Sequence, residues 1–162
     1  MKKRHFFHKR TPADSSYETP AWLYDALDRE FHFTHDLAAV AENAKTKFFQ
    51  DALKVPWHAL DGWLFLNPPF AGIRQWIERA AAEAKLGARI VVLVPVTVLG
   101  APYMRECHPK TIRLVSRCPT FKGTFSGKII RFFPALLIYG NGTTRRSFTY
   151  QRLPETYGKE NG

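Results

Sequence analysis

Asn67-Pro68-Pro69-Phe70 places an amide, two residues lacking backbone donors and an aromatic ring in four consecutive positions. The prolines fix φ and remove N–H groups, so the carbonyls of Asn67 and Pro68 have no ladder or helix to continue into. They are free to face a ligand. The Asn67 side-chain oxygen and the Pro68 carbonyl together form two acceptors suited to a planar NH₂ group, and Phe70 can stack on the ring that carries it. An exocyclic amine such as adenine N6 is a poor nucleophile because its lone pair is delocalised. Two acceptors aimed at its hydrogens favour a pyramidal nitrogen, and they strengthen as positive charge develops in an alkyl transfer. No strong general base is required, because the alkylated ammonium loses its proton readily. With a sulfonium donor in line, positioning supplies most of the rest. The same four residues also serve, with no chemistry at all, as a rigid turn ending a strand.

The neighbouring segments read as an α/β frame. Trp63–Leu66 is a short buried strand, and the apolar positions Ile73, Trp76, Ile77, Ala80, Ala81 and Ala84 predict a helix from about Ile73 to Leu86, stopped at Gly87. Ala88–Val96 is almost continuously β-branched and apolar, as in a strand covered on both faces. Strand, helix and strand make a βαβ unit, and ligands of such sheets bind beyond the strands' carboxyl ends. Upstream, Thr19 is a candidate N-cap with Pro20 at the first position of a helix Ala21–Glu30. Phe31–His35 alternates as a strand and runs into Asp36-Leu37-Ala38-Ala39, where an acidic residue and small side chains suit either a ligand approaching the backbone or a plain turn. A helix-compatible stretch Val40–Lys45 follows, then the short apolar step Lys47-Phe48-Phe49, Asp51 as a cap or site residue, and Trp57 as a core residue. Downstream, Pro102–His108 is expected as a short helix and Thr111–Arg117 as a strand. Phe121–Lys128 is a hairpin tip or substrate-contacting segment whose Lys122 and Lys128 suit phosphate, and Phe132–Tyr139 reads as the final buried strand before an Asn141-Gly142 turn.

With 162 residues, 45% of them apolar, the chain suits one domain over 14–150, a basic arm over 1–13 and a polar tail over 151–162. Lys and Arg number 24 against 14 acidic residues, and the formal charge of +10 favours a polyanionic partner, nucleic acid first. In the arm, Lys2, Lys3, Arg4, Lys9 and Arg10 can neutralise phosphates, while Phe6 and Phe7 can stack on bases or dock on the core. The two cysteines, Cys107 and Cys118, form no Cys-x-x-Cys motif, which argues against a metal site and a disulfide framework. No run approaches the ~18 apolar residues of a membrane span, and the N-terminus has no signal-peptide core. A cytoplasmic protein, monomeric or weakly dimeric, is expected.

Asn67-Pro68-Pro69-Phe70 resembles the (D/N/S)-P-P-(Y/F) motif of S-adenosylmethionine-dependent amino methyltransferases. The ordered set Tyr17-Glu18-Thr19-Pro20, Phe33–Ala39, Glu42–Lys45, Phe48-Phe49, Asp51–Leu53, Trp57, the tetrapeptide, Trp76 and Ala135–Ile138 resembles the phage-type DNA N6-adenine methyltransferases over roughly residues 14–140. The resemblance implies a compact Rossmann-like methyltransferase fold with a mostly parallel, mixed sheet. It also implies S-adenosylmethionine near Thr19, Pro20, Asp36, Ala38 and Asp51, with Glu42 or Asn43 on the ribose. Asn67, Pro68, Pro69 and Phe70 would hold an adenine flipped out of duplex DNA. Asp36-Leu37-Ala38-Ala39 replaces the glycine-rich loop of the broader superfamily, and only 31 positions separate Asp36 from Asn67, so the intervening elements must be abbreviated. A separate target-recognition domain has no room. Sequence preference would come from the arm, Thr97–Lys110 or Phe121–Lys128. Adenine in RNA or a glutamine side chain presents the same planar amine, and an inactive nucleic-acid-binding relative is a further alternative; the positive charge favours nucleic acid over protein.

Overall fold

Strand Trp63–Leu66 alternates its side chains between two apolar layers, with Leu64 and Leu66 in one and Phe65 in the other. A strand buried on both faces has to lie inside a sheet flanked by other elements, and the rest of the architecture follows from that. The structure, a computed structural model, describes residues 16–140 and 147–151. In chain order the elements are β1 (Tyr17–Glu18), α1 (Ala21–Phe31), β2 (Phe33–Asp36), β3 (Lys47–Phe48), β4 (Trp63–Leu66), α2 (Ile73–Lys85), β5 (Arg89–Pro95), β6 (Thr111–Val115), β7 (Thr120–Gly123), β8 (Ile129–Arg131), β9 (Pro134–Tyr139) and β10 (Ser147–Gln151).

Seven strands form the main sheet in the order β10-β6-β9-β5-β4-β2-β3. All neighbours are parallel except β9, which runs antiparallel to both β5 and β6. One face carries α2, whose Ile77, Ala80 and Ala81 join Leu64, Leu66, Ile90, Val92 and Val94. The other carries α1, whose Leu23, Tyr24, Leu27 and Phe31 join Phe33, Phe65, Val91 and Leu93. This is a Rossmann-like α/β fold with a mostly parallel, mixed sheet. A second, three-stranded antiparallel sheet, β1-β7-β8, packs on the α1 side through the fully buried Phe121.

Three expectations change. The strand after α1 starts at Phe33, because the helix runs through Phe31 and His32 then turns it off in the left-handed region at φ 52°, with Asp28 Oδ1 accepting from Phe33 N–H at 2.7 Å. Val40–Lys45 forms turns and not a helix, since the Asn43 side chain accepts the Val40 N–H at 2.9 Å and closes the chain on itself. The final buried strand is β9, as expected, and the mostly exposed β10 that follows it pairs parallel with β6. The Pro102–His108 helix is a single 3-10 turn, Pro102–Arg105. The Asn141-Gly142 turn lies outside the described residues.

Trp57 is a core residue, fully buried, with its Nε1–H donating to Ala52 O at 2.8 Å and its ring facing Trp76. Replacing it by Ala is expected to cost about 3–5 kcal/mol, as for large buried aromatic residues. Urea denaturation will read this as a lowered midpoint with little change in slope. Phe48→Ala, at a 39% exposed position, should move the same midpoint hardly at all.

Candidate active site

From β2 the chain moves outward to β3, then returns across β2 to form β4 on the other side. The connections leaving β2 and β4 therefore diverge, and a crevice opens beyond the carboxyl ends of these two parallel strands. Asp36 ends β2 and Asn67 follows β4. Leu37 N–H donates to Phe65 O at 2.9 Å, which holds the two strand ends together. The crevice is lined by Asp36, Ala38, Ala39, Asn43, Lys45 and Asn67, with the β1 segment Tyr17-Glu18-Thr19 as its other wall.

Asn67 is oriented by that wall. Its Nδ2 donates to Tyr17 O at 2.7 Å and to the Thr19 hydroxyl at 3.0 Å. A backbone carbonyl can only accept, so the amide nitrogen must face β1 and the amide oxygen must face away. Among the described residues no donor reaches Asn67 Oδ1 or the Pro68 carbonyl. Both acceptors are thus available. Phe70, half-buried, packs against Tyr17 at 5.1 Å and meets the Phe132 ring edge at 5.7 Å.

The Thr19 hydroxyl, engaged with Asn67, does not cap α1. Pro20 occupies the cap position instead, its carbonyl accepting from Leu23 and Tyr24 N–H at 3.0 Å each, and no side chain caps the helix. Thr19 is buried beside the crevice, whereas Pro20 does not line it.

Asp36 is 5% exposed. Burial pushes its carboxyl up from the ordinary 3.8 to about 6, against the opposing pull of the Lys45 and Ala38 backbone N–H groups and the Lys45 charge. Such a carboxylate is short of compensating charge and attracts a cationic ligand group. Both ends of the Asn43 amide are engaged by the protein, with Oδ1 accepting from Val40 N–H and Nδ2 donating to the Thr124 hydroxyl at 2.9 Å. Asp51 lies apart from the crevice at the start of a 3-10 turn, paired with Lys54 at 3.0 Å. Lys122 and Lys128 are exposed on the β7–β8 hairpin. Lys2, Lys3, Arg4, Lys9 and Arg10 lie outside the described residues.

The model of the DNA N-6-adenine-methyltransferase (Dam) family matches residues 8–116. The chain belongs to that family. No curated protein matches it. The family match spans both strand ends of the crevice and the tetrapeptide, and it stops before the β7–β8 hairpin. Among the described residues no helix is long and apolar enough to cross a membrane, and no group of three or more His, Cys, Asp or Glu is placed to hold a metal ion.

Tyr17, Glu18 and Lys45 line the crevice although no spacing rule pointed to them, and Phe132, which reads as the start of a buried strand, joins Phe70 from just before β9. Tyr17 contributes its carbonyl, which every residue has. Side-chain type therefore gave no signal.

The Asp36 ionisation has a measurable consequence. Its folded pKa is raised, so as pH climbs the unfolded chain gives up this proton first and the folded state loses stability. The contribution is fully present below about pH 4 and gone above about pH 6. The move from 3.8 to about 6 corresponds to about 3 kcal/mol. In urea denaturation, wild type is expected to lose about that much relative to Asp36→Asn between about pH 3 and pH 7. A pH-independent difference would remove the burial penalty from Asp36.

Proposed function

We propose that this protein transfers a methyl group from S-adenosylmethionine to N6 of an adenine flipped out of duplex DNA. The observation that carries the reading is the fixed orientation of the Asn67 amide, with its nitrogen spent on β1 and its oxygen left to accept. The chemistry of the crevice fits the donor. Asp36 offers a buried carboxylate to a cationic amino group, and Ala38 and Ala39 leave room for close approach to the backbone. When bound, S-adenosylmethionine supplies an electrophilic methyl whose transfer leaves the C–S electron pair on sulfur and places the positive charge on nitrogen.

The chain supplies the rest by position. Asn67 Oδ1 and the Pro68 carbonyl accept from the two N6 hydrogens, drawing the lone pair out of conjugation, and their hold tightens as the nitrogen becomes cationic. Phe70 stacks on the purine, and Thr19 and the Tyr17 carbonyl keep the Asn67 amide from rotating. The product nitrogen then releases its proton to water. Pro69 contributes by having no N–H to compete for the neighbouring carbonyls.

The crevice has about 20 Å³ of free space, enough for about one water molecule, so its lining must shift to admit a donor. Target preference in this reading falls to the basic arm, Thr97–Lys110 and Phe121–Lys128.

Asn67→Ala is expected to lower methyl transfer by about 10²–10³-fold or more, as when one electrostatic partner of a developing charge is removed. Donor affinity by calorimetry and the unfolding midpoint should stay near wild type. Labelled S-adenosylmethionine offered in parallel with duplex DNA, single-stranded DNA, RNA and protein, followed by nucleoside analysis, tests the substrate. The expected product is N6-methyladenine in DNA. Label confined to RNA or protein, or full activity in Asn67→Ala, would overturn the reading.

A further inference from the structure

Phe148 and Tyr150 are 56% and 67% exposed on β10, large rings that take no part in the adenine site. Residues in register on neighbouring strands point to one face of a sheet, and successive residues alternate. Phe148 is in register with Ile112 and Tyr150 with Leu114, and these in turn with Leu137 and Ala135 on β9. All four of those aliphatic residues belong to the α2-side layer, so the two rings extend it. Exposure rises in steps along it: buried on β9, half-buried on β6, exposed on β10. The rings are held in place. They meet edge to face at 6.1 Å, on a strand anchored by five register pairs with β6 and by the Thr111–Ser147 hydroxyl bond at 2.8 Å. Ordered aromatic rings grouped on an open sheet face mark a surface that takes a partner.

The chain around β10 says which kind. From Cys107 to Pro154 there are nine Lys and Arg residues and no Asp or Glu, and Arg145, Arg146 and Arg152 bracket the strand in the sequence. Two sheet edges are available for comparison. β3 is two residues long and carries Lys47, a short, charged edge of the kind that resists further pairing. β10 is five residues long and has no charge, proline or glycine of its own. A second copy brought edge to edge would confront one arginine-bracketed strand with another. An unpaired polynucleotide brings the opposite charge, with bases to stack on the rings and phosphates for the flanking cations. A duplex does not fit the rings, because its bases already stack on one another.

We propose that the β6–β10 face on the α2 side of the sheet is a second nucleic-acid site, which takes unpaired nucleotides by stacking on Phe148 and Tyr150. Three strands, β5, β9 and β6, separate β10 from β4 and its tetrapeptide, and the β7–β8 hairpin packs on the other face. The residues matched by the family model, 8–116, do not reach β10. The site goes beyond the methyltransferase reading and does not depend on it. A strand held there is retained whether or not the crevice is occupied.

The test uses the full chain and short fluorescein-labelled oligomers of thymidine and of uridine, whose bases have no exocyclic amine for the clamp to hold. Anisotropy titrations read affinity between about 50 and 200 mM salt. The double variant Phe148→Ala/Tyr150→Ala is expected to bind about 10- to 100-fold more weakly at every salt concentration. Its slope of log affinity against log salt should stay at the wild-type value, because no phosphate contact is removed. Phe148→Trp/Tyr150→Trp should bind at least as tightly as wild type, and Phe48→Ala, at the opposite sheet edge, should match it. The tighter oligomer identifies the nucleic acid as DNA or RNA. Wild type irradiated with an iodouracil-bearing oligomer should cross-link within residues 147–151, which tests the face without any substitution. No binding by wild type, unchanged affinity in the alanine variant, an equal loss on a duplex of the same length, or cross-links confined to other segments would overturn the site. So would a wild-type dimer in sedimentation that the alanine variant dissociates, since a second copy would then cover the rings. Methyl transfer is read separately by nucleoside analysis, so failure of this site leaves that reading standing.

Discussion

The architecture turns on the reversal of strand order between β2 and β4. Two adjacent parallel strands whose outgoing chains part in opposite directions cannot have their carboxyl ends covered by a common connection. In this sheet the uncovered ends are Asp36 and Asn67. Everything chemically notable is arranged around that gap. The leading segment Tyr17-Glu18-Thr19 crosses it before α1 begins, and the β7–β8 hairpin reaches it from far along the chain through Thr124 and Phe132. The gap comes from topology alone; its contents come from the side chains and carbonyls that converge there.

Closing the gap requires polar groups to satisfy one another at some expense to local structure. The Thr19 hydroxyl can cap α1 or accept from Asn67, and it does the second, leaving α1 without a side-chain cap. A cap is worth about 1 kcal/mol. The exchange orients an amide that would otherwise rotate, and the helix is already held by Leu23, Leu27 and Phe31. Asp36 follows the same pattern. Its burial is unfavourable to the folded protein at neutral pH, and it is retained at the strand end where a cationic group would relieve it.

The parts of the molecule legible in the sequence are those whose signal is periodic or compositional. β4, α2 and β5 fall where alternation, helical spacing and a β-branched run put them, with boundaries within one residue of the expected ones. β1 and β3, two residues each, are too short to carry a period, and β10 has four exposed residues out of five, so no hydrophobic pattern announces it. Val40–Lys45 has helix-compatible residues, but Asn43 is captured by Val40 and by Thr124, 81 positions away, and a window of local sequence cannot contain that second bond. Asn67 stood out because its neighbours are prolines. Tyr17 did not, because what it gives the site is a carbonyl.

The same distinction bears on how the hairpin is held beside the tetrapeptide. A hairpin attached only to solvent would sample many positions relative to the base clamp, and any contact it made with DNA would lose affinity to its own ordering. Here the ordering is already done. Phe121 and Phe132 fix one end of the hairpin to Phe70, and Thr124 fixes the other to the strap over Asn67 and to the crevice loop. The basic outward face of the hairpin and the Asn67–Phe70 turn are therefore tied together. In a fold this compact, one threonine does what a domain interface does in a larger one.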